Sequence, residues 1–102
     1  MNKMNEAELL QELTNIDAFV DKSLALIKRI QGDYAENHLD DNWCSEVFEL
    51  GFTMQQDIEM ANHSVEKIRD MVDEYKGFCD ALNKKLEVAH TGIGKVMDGV
   101  SS

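Results

Sequence analysis

Few side chains in this sequence are equipped for chemistry: three histidines (His38, His63 and His90), two cysteines (Cys44 and Cys79) and a large excess of carboxylates. A zinc-type site on a helix needs two such ligands about one turn apart, so that both reach the same ion. Neither His63 nor His90 has a His or Cys four residues away. His38, Asp40, Asp41 and Cys44 are close enough in sequence to suggest a metal site, but acids of a polar connection followed by a helix cap account for the same residues. A calcium loop read from Asp33 fails at Ala35, at His38 where glycine is needed and at Cys44 where glutamate is needed. Gly92-Ile93-Gly94 follows a helical pattern rather than a strand, so it is no phosphate cradle. A thiol nucleophile would require His38 to meet Cys44 across an irregular connection. Paired acids such as Asp40-Asp41 and Asp73-Glu74 are what solvated faces of so acidic a chain carry. The expectation is a protein with no catalytic residues, no metal and no cofactor.

The charge balance narrows the partners. Twenty acids stand against ten bases, a net charge of -10, which opposes nucleic acid phosphates and anionic lipid alike. From Ile30 to Glu66 there is no Lys or Arg, only Asp33, Glu36, Asp40, Asp41, Glu46, Glu49, Asp57, Glu59 and Glu66. One end of the molecule should therefore be strongly negative. No run approaches the roughly 18 to 20 apolar residues of a membrane span. Lys3 is followed by Glu6 and Glu8 where a signal peptide needs its apolar run. These features lead to the expectation of a cytoplasmic protein with reduced thiols, export by a route that reads no signal peptide being left open.

The elements that position these residues follow from spacing. At 102 residues the chain is one small domain with room for a single core. Asn5 and Glu8 ahead of Leu9 and Leu10 predict a capped helix start. Leu9, Leu13, Ile16, Val20, Leu24, Ile27 and Tyr34 then keep to one face, widened by Leu10, Phe19, Leu26 and Ile30. With Gly32 as a left-handed stop and Lys28 and Arg29 in the last turn, helix one spans about 5–31. A polar linker, 32–42, offers Asp40, Asp41 and Asn42 as caps for helix two. From Trp43 the stripe runs Val47, Leu50, Met54, Ile58, Ala61, Val65, Ile68, Val72, Tyr75, Cys79, Leu82, Leu86 and Ala89 without losing phase. The preferred reading is a continuous helix over about 43–89; a bend at Gly77 giving a three-helix bundle is the alternative. Residues 90–102, punctuated by glycines, read as a flexible tail. The chain is all-α, and its lack of proline favours long helices.

A continuous second helix of about 70 Å outreaches a first helix of about 40 Å. Its distal seam (Val65, Ile68, Met71, Val72, Tyr75, Phe78, Leu82 and Leu86) would then be bare, so a homodimer or a helical hetero-partner is expected to cover it. On the same reading Cys44 and Cys79 lie roughly 50 Å apart, beyond disulfide reach within one chain.

Trp43, the sole tryptophan, opens helix two beside the acidic end. A chain of about this length with two helices and a Trp at their connection, here within Trp43-Cys44-Ser45, resembles the WXG100 family of type VII secretion substrates and their small helical partners. Ser45 stands where that family has glycine, and Tyr75 is followed by Cys79 rather than by the acid of the family's export tail. The resemblance implies a helical hairpin that acts by pairing with another helical protein. Two functions are therefore carried forward. One is a non-enzymatic helical protein–protein interaction module, a secretion partner, chaperone or adaptor, helped by the adaptable side chains of Met4, Met54, Met60, Met71 and Met97. The other is an acidic inhibitor of phage or mobile-element type that imitates DNA, presenting Asp33, Glu36, Asp40, Asp41, Glu46 and Glu49 beside Trp43 to a basic groove.

Overall fold

The structure is a computed structural model that describes residues 5–35 and 41–101. It is all-α: α1 spans Glu6–Ala35, α2 spans Asp41–Met71, a single 3₁₀ turn spans Asp73–Tyr75, and α3 spans Lys76–Ser101. The whole measures 49 × 25 × 18 Å.

The start of α1 is built as its residue types require. The Asn5 side-chain oxygen accepts the Glu8 amide at 2.8 Å, and the Asn5 amide group donates to the Glu8 carboxylate at 3.3 Å. One free helix-end amide is thereby satisfied while the side-chain pair holds the cap in place, an arrangement worth about 1 kcal/mol. The end of α1 differs from the sequence expectation: Gly32 lies inside the helix, which continues to Ala35. Packing explains the extension. Tyr34 keeps the spacing of Ile27 and Ile30 and reaches both Gly99 of α3 and the Trp43 ring, 6.4 Å away between centroids. These contacts outweigh the ~1 kcal/mol that glycine costs a helix interior.

Helix two is not continuous to residue 89. It stops at Met71, Val72 adopts an extended backbone (φ -133°, ψ 103°), and the chain reverses through Asp73–Tyr75. The three-helix alternative is the architecture found, with the reversal five residues before Gly77. β-Branched Val72 suits an extended conformation, Asp73 and Glu74 occupy the first positions of the 3₁₀ turn, and Arg69 pairs with Asp80 across the turn at 2.7 Å. The stripe hid this turn because both helices face one core. A reversal with one extended residue and a helix-like turn preserves the 3,4 count on either side.

The supposed flexible tail is the second half of α3. Cys79, Leu82, Leu86, Ala89, Ile93, Val96 and Met97 are all buried in the common core with Leu13, Val20, Ile58 and Val65. Each buried Leu, Ile, Val or Met among them contributes about 1.5–3 kcal/mol. The glycines mark close approach: a side chain at Gly92 would meet Ile27 at 3.4 Å, and one at Gly51 of α2 would meet Met97 at 2.7 Å. α3 runs antiparallel to α2 and parallel to α1, and it makes most of the contacts between helices; α1 and α2 touch each other least.

Candidate interaction surface

The distal seam is spent inside the chain. Val65, Ile68, Leu82 and Leu86 are buried among their own neighbours, and Val72 and Tyr75 are half-buried against the same core. Only Met71 and Phe78 remain exposed. The bare edge for which a second molecule was expected is thus covered by α3. Its reversal also overturns the spacing given for the cysteines. Cys79 returns alongside Arg69, which puts it about 25 residues of helix, or ~37 Å, from the level of Cys44. Both thiols are free.

At the acidic end, Trp43 is half-buried against Tyr34, Asp33 is half-buried, and Glu46 and Glu49 are exposed. Glu36, Asp40 and His38 lie outside the described residues, as does the side chain of Asp41. Folding alters the charge here. Lys95 of α3 comes to the same end and, with Gln31, Tyr34, Val96 and Gly99, lines a pocket of about 180 Å³. The negative end of the sequence is therefore not free of bases in space.

The reactive groups are dispersed or engaged. Among the described residues no three His, Cys, Asp or Glu side chains come together as a metal site. His63 is exposed on α2. His90 of α3 lies 3.1 Å from a Glu59 carboxylate oxygen of α2, on the wall of a cleft of about 430 Å³ that also holds Asn62, Glu66, Asn83 and Glu87. Lys85 reaches across to α1 and donates to both Asp17 and Asp21 at 2.9 Å. These bonds raise its pKa above the usual lysine value. Burial, followed by the charge of Asp80, pushes the Cys79 thiol up against the opposing pull of Arg69. That disfavours the thiolate a nucleophile would need.

An apolar surface is left open where α1 and α2 fail to close. An open groove runs between them in two consecutive parts. In one, of about 220 Å³, Phe19, Lys22 and Leu26 face Leu50, Thr53, Met54 and Asp57. In the other, of about 350 Å³, Glu12, Asn15, Ile16 and Phe19 face Asp57, Met60, Ala61 and Ser64. Leu50 keeps 40% and Met60 70% of its surface exposed. Phe19 and Leu26 stand seven residues apart and so share one face of α1. That pair was the visible signal: it makes the apolar face of α1 wider than one helix contact uses. The sequence does not say that the extra width opens toward α2 rather than being closed by α3. Two more exposed aromatics, Phe48 and Phe52, fall on the other flank of α2, seven residues before Gln55 and Glu59, which meet α3.

Compared with known proteins, the chain matches no family model, and neither a curated protein nor a solved structure shows significant similarity to it. No helix among the described residues is long and apolar enough to cross a membrane.

Proposed function

We propose that this chain is a non-enzymatic helical protein–protein interaction module that binds through the α1–α2 groove. The observation that carries the reading is the exposure of Leu50 and Met60 beside Phe19 and Leu26. An apolar furrow between two helices is the shape that helix-in-groove recognition uses, and Met60 supplies an adaptable contact. A partner or chaperone of the WXG100-like kind, or an adaptor, is an instance of this class. The test is a photo-crosslinking residue placed at Thr53 in the cells the protein comes from. It should capture a partner, and Leu50→Ser with Met60→Ser should abolish capture at a stability cost of about 1–2 kcal/mol that leaves the chain folded. Capture from a crosslinker at Phe52 and none from Thr53 would move binding to the opposite flank and refute the groove.

The acidic decoy is the second reading, favoured by the run of Glu59, Glu66 and Glu87 along the α2–α3 cleft. It ranks lower because Lys95 interrupts the negative end and exposed Phe48 and Phe52 interrupt the acidic flank. Its distinguishing outcome is binding that fails on Glu66→Lys with Glu87→Lys yet survives the groove substitutions.

A further inference from the structure

Resting on that reading of the groove, we infer the chemistry of its occupant: one amphipathic helix from a different protein, apolar along one stripe and flanked by Lys or Arg. Three features of the groove lead there. The first is its form. From Glu12 to Leu26 it follows about 14 residues of α1, or ~21 Å. Both walls are helices whose backbone groups are already bonded internally, so an extended peptide finds no edge to pair with. Side chains seven residues apart, Phe19 and Leu26 on one wall and Leu50 and Asp57 on the other, match the repeat of a third helix laid between them.

The second feature is charge. The α2 wall lies within the stretch that contains no Lys or Arg. Asp57 lines both parts of the groove and Glu12 one of them, with Lys22 the single base among the lining residues. Glu46 and Glu49 precede Thr53 by seven and four residues, which places both exposed carboxylates on the groove flank of α2. An incoming helix with basic flanks is steered and oriented by this rim. The third feature weighs against a second copy. A symmetric pair joined through this groove would bring the acidic rims of two molecules, each of net charge -10, against each other.

Two synthetic helical peptides of matching length test the assignment. They share one Leu/Ile stripe and differ only in carrying Lys or Glu on the flanks. Binding to the full chain is followed by fluorescence anisotropy, with helicity of every variant checked by circular dichroism. The Lys-flanked peptide should bind at least about tenfold tighter than the Glu-flanked one. Leu50→Ser with Met60→Ser should weaken it by a similar factor, and Glu46→Gln with Asp57→Asn should weaken it and reduce its salt dependence. Phe48→Ser with Phe52→Ser should leave it unchanged. Equal binding of both peptides, lost in the Leu50/Met60 variant, overturns the basic partner while the groove stands as a docking site. Lys-peptide binding indifferent to the Leu50/Met60 variant is non-specific attraction to an acidic surface and overturns both. A dimer in light scattering that the same variant dissociates makes the occupant a second copy and overturns the hetero-partner alone. Failure of both peptides to bind a monomer overturns the occupant proposed here.

Discussion

α3 and the α1–α2 groove are opposite solutions to covering an apolar face. On the α3 side, small residues let backbones approach until nothing more fits. Gly51 leaves no room beside Met97, Gly92 sits against Ile27, and Ala89 and Ile93 are fully buried. On the groove side, Phe19, Leu26, Leu50 and Met60 are large, set apart and partly in water. The difference teaches that residue size, as well as hydrophobicity, bears on whether two helices close against each other or leave a furrow open to water. Glycine and alanine let two backbones approach closely around the larger core side chains, whereas large side chains set apart leave a furrow between helices.

The comparison can be broken at its closed side first. Ile93→Ala should cost about 2–5 kcal/mol in chemical denaturation because it empties a core position; a loose tail would have lost nothing. Gly51→Leu should cost about 1–3 kcal/mol by forcing Met97 and Ile93 aside. Gly32→Ala sharpens the description of α1. With open space at that position, the substitution should raise stability by about 0.5–1 kcal/mol, whereas a left-handed helix stop would make it destabilising.

The smallest effect is the pH response of the closed side. Cys79 and Lys85 both have raised pKa values in the folded chain, so each keeps its proton more firmly folded than unfolded. Their contribution is complete below the unfolded values and is lost as pH rises. Melting temperature should therefore decline above pH 9.0 through Cys79 and further above pH 10.5 through Lys85. Cys79→Ala should flatten the first part of the decline and Lys85→Gln the second.

Much of this architecture was legible in the chain. The Asn5 cap, the faces of α1 and α2, and the all-α class follow from local rules that hold whatever the tertiary structure. The turn at Val72 was not legible, because direction leaves no mark on a repeat that both helices share, and the residues there, Val72-Asp73-Glu74-Tyr75, contain no Gly, Pro or Asn. The helical state of 90–101 was masked by glycines, whose low intrinsic propensity is overridden once close packing makes their small size an advantage. The α1–α2 groove was half visible. Phe19, Leu26 and Leu50 announce surplus apolar surface, while its direction depends on where α3 lies.

An odd number of antiparallel helices has one further effect. A two-helix hairpin returns the chain to the pole it left, but here α1 begins beside Tyr75, whose hydroxyl donates to the Glu6 carbonyl at 3.5 Å, and α3 finishes beyond Tyr34 at the opposite pole. The first turn of α1 and the last turn of α3 therefore lie toward opposite poles of the 49 Å length. The α1–α2 groove faces sideways between those two ends.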